Sequence, residues 1–168
     1  MLQCENKKQK SPLGVYWARH CVRGKRNVSG HENVEVVLEA FRAIERRDDQ
    51  RFLDLLHPDF EIRWPPSLPY GQSSPSANDK VPTWSEIWNS LQPSEAERKM
   101  DPRVVAHRGE EVVVLWHQRG VTSTGDRFEG EVLGLYRVRD GKLARAQMFY
   151  FDTTAVASFL AQANAPNA

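Results

Sequence analysis

Cysteine is almost missing from this chain: two in 168 residues, Cys4 and Cys21, both near the start. The rest of the chain holds none, so no disulfide can staple it, and no C-x-x-C or Cys/His spacing suggests zinc. That usage fits a reducing, cytoplasmic compartment. No apolar run approaches the roughly 18 residues that span a membrane. The chain also lacks G-x-x-x-x-G-K-[ST], a G-x-G-x-x-G after a strand, G-x-S-x-G and H-E-x-x-H. Nucleotide hydrolysis, dinucleotide redox chemistry, serine hydrolysis and zinc proteolysis therefore have no support, and no metal ion or cofactor is implied. The basic KKQK is followed only by the short apolar patch PLGVYWA, too short for the core of a secretory signal.

Charge is present in both signs and nearly cancels to +1, but it is unevenly spread. Residues 1–30 hold seven Lys/Arg and one acid, Glu5, about +6; the remaining 16 basic and 21 acidic residues leave 31–168 at −5. The head reads as a basic, disordered extension. Contact with nucleic acid through it is the less favoured alternative.

From there the pattern turns regular. S-G-H-E is a capping box with Ser29 as N-cap and Glu32 at the third helical position. Val34, Val37, Leu38, Phe41 and Ile44 then recur at helical spacing up to about Arg47. A second helix fits Asp49–Leu56, stopped at His57-Pro58. FEIRW (Phe60–Trp64) alternates as a strand. PPSLPYGQSSPSANDKVP is a loop of about 18 residues, and loops that long are often lids or binding loops. T-W-S-E, Thr83 with Glu86, opens a further helix carrying Trp84, Ile87, Trp88 and Leu91, with Pro93 ending or kinking it.

After Asp101-Pro102 four strand-like runs follow: RVVAHR, EVVVLWHQRG, RFEGEVLGLYRV and KLARAQMFYF. RGE and RDGK are tight-turn signals and TSTGD a longer hairpin loop, so these strands are antiparallel neighbours. Asp152 or Thr153 caps a last helix over Ala155–Ala163, and the tail 164–168 frays. The expected fold is α+β, a strongly bent, mostly antiparallel sheet with helices on its concave side, in one domain over 31–163.

Within EVVVLWHQRG, Val112, Val114, Trp116 and Gln118 point one way and Val113, Leu115, His117 and Arg119 the other. Periodicity leaves open which face is concave. His117 has the chemistry of a general base; its plain reading is a half-buried structural histidine. Glu131, near an apolar run, becomes an acid if buried and a solvated edge carboxylate if not. Asp152 reads first as a helix cap and second as a pocket carboxylate. Trp64, Tyr70, Trp84 and Trp88 bracket the long loop, as core packing or as the wall of a flat, greasy ligand's site. Gly130 and Gly134 mark a bend or a close approach by another backbone.

The order of VVLEAFRAIERRDDQRFLDLLHPDFEIRW, a long loop and helix, EVVVLWHQRG…TGDRFEGEVLGLYRVRDGKL and YFDTTAVASFL resembles the SnoaL-like proteins of the nuclear transport factor two-like superfamily. That resemblance implies a cystatin-like α+β cone with a deep pocket, often dimeric through the open sheet face. The superfamily includes ketosteroid isomerases, polyketide cyclases and limonene epoxide hydrolases. WPPSLPYG and LGLYRVRDGKL…YFD are most similar to the last of these. Aligned with it, Leu115 takes the place of its arginine, His117 and Phe149 those of its two aspartates, and Glu61 and Arg63 those of its tyrosine and asparagine. None matches. The ketosteroid isomerase tyrosine and base fall near Phe41 and Trp64, again without a match.

The expectation is thus a metal-free pocket protein for a small apolar molecule, lined by Phe41, Trp64, Tyr70, Trp84, Trp88, Leu115 and Phe149. If it is catalytic, proton transfer (isomerisation, cyclisation or water addition) would run through His117 with Glu131, Glu61 or Asp152 to orient it and Arg63 or Arg119 to hold an oxyanion. The alternative is a non-catalytic ligand-binding or dimerisation domain.

Overall fold

The computed structural model describes residues 30–71 and 91–163. Ser29, the Thr83–Glu86 capping box, Trp84, Trp88, the head up to residue 29 and the tail 164–168 lie outside the described residues.

Helix α1 (Gly30–Arg46) buries Val37, Ala40, Phe41 and Ala43 along one side. These positions recur every three to four residues, the spacing that makes a helix one-sided. The helix ends in a Schellman motif: Asp48 N–H donates to Ala43 O at 2.9 Å and Arg47 N–H to Ile44 O at 3.0 Å. Arg47 takes the left-handed conformation, φ 57°, that this ending requires. Asp48 then caps α2 (Asp49–Leu55), its carboxylate accepting from Arg51 N–H at 2.9 Å.

Strand β1 (Leu56–Arg63) begins four residues earlier than FEIRW suggests. Its register against its neighbour breaks between Leu56 and Glu61, so His57-Pro58-Asp59 sits in an irregularity where proline owes the ladder no N–H. A short helix, α3 (Glu95–Arg98), was not expected after Pro93. Ser94 is its N-cap, accepting from Ala96 N–H at 3.3 Å and donating to the Glu97 carboxylate.

Then come β2 (Arg103–Arg108), β3 (Glu111–Val121), β4 (Arg127–Arg139), β5 (Lys142–Tyr150) and α4 (Thr153–Ala163). The strands form one sheet in the order β1-β5-β4-β3-β2. β2 to β5 pair antiparallel as expected, and β1 joins β5 parallel, so the sheet is mixed. At the β4–β5 corner Asp140 and Gly141 both have positive φ, 53° and 76°, as a two-residue type I′ turn demands.

The sheet has two unlike faces. Val112, Val114 and Trp116 of β3, Val132 and Tyr136 of β4, and Ala146 of β5 are all buried. This inner face packs against α1, whose buried Asn33 side chain also donates to Gly109 O in the β2–β3 turn at 2.9 Å. Gly130 and Gly134 share that face, but it is rings that approach them, not backbone. A Cβ on Gly134 would lie 2.4 Å from the Tyr136 ring, and one on Gly130 would lie 2.9 Å from Phe128.

Candidate functional site

Two hollows open on the inner face. The first lies beneath α1, with Phe41, Ile44, Phe52, Trp116, Tyr136 and Met148 among its walls, and holds about 430 Å³ of atom-free space including its mouth. Phe41 meets Trp116 and Tyr136 edge-on, with ring centres 5.9 and 5.7 Å apart. This is the geometry in which the positive edge of one ring faces the negative face of another. The Trp116 indole N–H is buried there without a hydrogen-bond partner among the described residues. Tyr136 donates to Met148 Sδ at 3.8 Å, and burial holds its phenol far above the usual range.

The second hollow, with about 450 Å³ of atom-free space including the solvent at its mouth, lies where the ends of β4 and β5 meet α4. Gln118, Gly130, Val132 and Tyr150 wall it from the sheet and Ala155 and Val156 from the helix, with Glu129, Glu131 and Asp152 also around it. Gln118 is fully buried, 0% exposed, and neither of its amide atoms has a hydrogen-bond partner among the described residues. Leaving a buried amide unpaired costs about 1–3 kcal/mol. Beside it the Tyr70 hydroxyl donates to that of Tyr150 at 3.0 Å. Burial pushes Tyr70 up to about 12 and Tyr150 well above 10, so both phenols are neutral. The Gln118 amide lies close enough to both to oppose those shifts slightly, yet not in hydrogen-bonding alignment.

The expected site residues divide by face. Phe41 lines the first hollow, and Trp64 and Tyr70 are buried in edge-on contact, 5.4 Å between ring centres. Glu131 and Asp152 border the second hollow, and Asp152 caps α4, accepting from Ala155 N–H at 2.8 Å. Leu115 and Phe149, expected in the cavity lining, and His117, expected as the general base beside it, lie on the other face. They alternate with the buried residues of their strands and face outward, Phe149 being 45% exposed. Glu61 and Arg63 also alternate with buried neighbours and pair with each other at 2.9 Å. All five positions assigned by the limonene epoxide hydrolase alignment therefore share the outer face. A slip of one residue along a strand exchanges the faces, and here Trp116, Gln118, Met148 and Tyr150 are the inner residues.

On that outer face His117 Nδ1 lies 3.1 Å from Glu129 Oε1. Arg119 reaches the same carboxylate at 3.1 Å and Asp101 at 2.9 Å. Burial opposes the Arg119 charge, but Asp101 and Glu129 outweigh it and raise its pKa. The imidazole itself lines neither hollow and sits in an outer-face ionic cluster, with Glu129, which also borders the second hollow, as its carboxylate contact in place of Glu61, Glu131 or Asp152. Gln118 is the residue that sequence reasoning passed over. Its only signal was parity with Trp116 on a strand rich in apolar residues. Among the described residues no cluster of His, Cys, Asp or Glu is arranged to hold a metal ion, and no helix is long and apolar enough to cross a membrane.

A family model described as a SnoaL-like domain matches residues 37–146. TerC, solved co-crystallised with polyporic acid, is 22% identical, with 77% of this chain and 98% of that one covered and a TM-score of 0.65. A nuclear transport factor two-like protein from Burkholderia xenovorans is 23% identical, with 82% and 98% covered and a TM-score of 0.62. IdmH from Streptomyces antibioticus, described as a candidate polyketide cyclase, is 20% identical, with 78% and 99% covered and a TM-score of 0.60. Comparison with curated protein sequences gives no match.

Proposed function

Because the chain belongs to the SnoaL-like domain family, we propose that it is a small-molecule pocket protein whose ligand, a largely apolar ring-bearing molecule, occupies the inner face of the sheet. The observation that carries this is the aromatic-walled crevice under α1, where Phe41 meets Trp116 and Tyr136 edge-on and which a ligand would widen on entering. Flat apolar molecules gain most from such walls. The co-crystallisation of TerC with polyporic acid and the description of IdmH as a candidate polyketide cyclase point to the same kind of ligand. If the bound molecule reacts, proton transfer falls to the carboxylates bordering the second hollow, Glu131 and Asp152, with neutral phenols as donors. Fused bicyclic aromatics should raise the melting temperature and quench tryptophan emission. Ala146→Leu, which fills the first hollow, should abolish both responses. A wild-type protein indifferent to every such molecule sinks the reading.

A second reading concerns the outer face. Phe149 and Val105 are exposed there beside half-buried Leu115, Leu133 and Leu135, an apolar band that a second copy would cover. A homodimer through the sheet accounts for it. Sedimentation of wild type against Phe149→Glu tests it: a dimer that dissociates on substitution supports the reading, and a monomeric wild type removes it.

A further inference from the structure

The first hollow explains how a greasy ring is held, but not why a fully buried glutamine on the adjoining inner-face position makes no hydrogen bond among the described residues. We propose that Gln118 is a specificity-determining residue: its unpaired amide is kept to meet a carbonyl and a hydroxyl side by side on a neutral ligand. This rests on the pocket reading above and assigns which end of the ligand goes where.

Three observations converge on it. First, Gln118 is 0% exposed and both amide atoms lack partners among the described residues, in the wall of the second hollow. A primary amide offers an N–H donor and an oxygen acceptor about 2 Å apart in one plane. One N–H and the oxygen are therefore met together by a group that presents an acceptor and a donor side by side. Second, Tyr150 accepts the Tyr70 proton at 3.0 Å, which leaves its own proton to donate. Burial keeps both phenols neutral, so the Tyr150 O–H stands beside the Gln118 N–H as a donor to a ligand carbonyl. Third, the surroundings refuse an anion. Glu129, Glu131 and Asp152 stand around the hollow, and Asp152 already occupies the N-terminus of α4 through Ala155 N–H at 2.8 Å.

Position also fits. Trp116 and Gln118 are two residues apart on one face, about 7 Å along the strand. A bicyclic ligand with its ring system under α1 brings its substituted end to the amide.

The test is a matched series on the full chain: tetralin, 1-tetralone, 2-hydroxy-1-tetralone and 1,2,3,4-tetrahydro-2-naphthoate, with affinities read by calorimetry. Wild type should bind the hydroxyketone roughly tenfold more tightly than tetralin, and the carboxylate most weakly. Gln118→Met keeps the length of the side chain and removes the amide. It should bind all three neutral compounds alike, at the wild-type affinity for tetralin. Without ligand it should melt roughly 2–4 °C higher, because an unpaired buried amide has gone. A purely structural glutamine would instead lower the melting temperature when replaced. Equal binding of all four compounds by wild type overturns the role of Gln118 while the pocket reading stands. Tightest binding of the carboxylate overturns the preference for a neutral ligand. Binding of none removes the pocket and this inference together.

Discussion

Two faces of a single strand, β3, differ by one residue of register and by everything else. Inward go Val112, Val114, Trp116 and Gln118, all buried; outward go Val113, Leu115, His117 and Arg119, all half-buried. On the outer face the polar groups have company: the His117 ring lies beside Glu129, and Arg119 bridges Glu129 and Asp101. On the inner face the Gln118 amide lies near the Tyr70 and Tyr150 hydroxyls but makes no hydrogen bond among the described residues. Residue type therefore misdirects here. A histidine attracts a catalytic reading and a glutamine does not. Yet the imidazole lies 3.1 Å from a carboxylate, without an aligned hydrogen bond, whereas the Gln118 amide has neither a charged neighbour in reach nor a hydrogen-bond partner among the described residues. The state of pairing, set by which face is covered, separates a surface cluster from a candidate binding group.

The largest effect should come from crossing that boundary by one residue. Trp116 is 1% exposed and packs on Phe41, so Trp116→Ala should cost about 3–5 kcal/mol. Leu115→Ala, on the outer face, should cost roughly 1 kcal/mol. Urea unfolding of the two variants measures both, and equal losses would mean that the faces are not distinguished as described. Next in size is a pH effect confined to the inner side. Unfolded tyrosine ionises near 10, whereas folded Tyr70 does so at about 12 and Tyr150 well above 10. Between those values the folded state binds more protons than the unfolded one, so stability falls as pH rises from about 10. The slope is about 1.4 kcal/mol per pH unit for each phenol. Tyr70→Phe and Tyr150→Phe should each make that decline shallower. An unchanged slope would show that the phenols titrate freely.

Much of the fold could be read because its signals are local. The α1 periodicity, the D-G turn at Asp140-Gly141 and the short β2 to β5 connections each determine geometry within a few residues. What was missed depends on distant contacts. The start of β1 at Leu56 follows from pairing with β5, some 87 residues on, since Leu56 stands against Leu143. The face of β3 follows from where α1 lands, and alternation alone is symmetric between the two answers. Alternation groups Val112, Val114, Trp116 and Gln118 correctly but does not say that this group faces inward, so it cannot prefer Gln118 over Leu115 and His117 for the site. Helix α3 is a different miss. Ser94 and Glu97 have the spacing of a capping box, but four residues are too few to show a periodicity.

Gly134 offers a smaller test of the inner face. Its lack of a side chain lets the Tyr136 ring fold over the strand, and a Cβ there would sit 2.4 Å from that ring. Gly134→Ala should cost about 1–3 kcal/mol and narrow the first hollow, weakening ligand binding along with stability. Gly141→Ala is destabilising through backbone alone: φ is 76° and a Cβ would meet nothing within 4 Å. Only the first substitution should alter binding, and binding unchanged in both would argue that Tyr136 does not border the ligand.

The smallest effect is expected where the sequence drew most attention. The His117 side chain is 34% exposed, and its partner Glu129 is also held by Arg119. Removing the ring leaves that carboxylate paired, so His117→Ala should shift stability by less than about 1 kcal/mol, the range of exposed ion pairs. Because the ring lines neither hollow, the affinity for bicyclic ligands and their order of preference should be those of wild type. If His117→Ala instead abolished binding while unfolding normally in urea, the division of β3 into an inner binding face and an outer ionic face would fail, and the ligand would have to be sought on the outer side of the sheet.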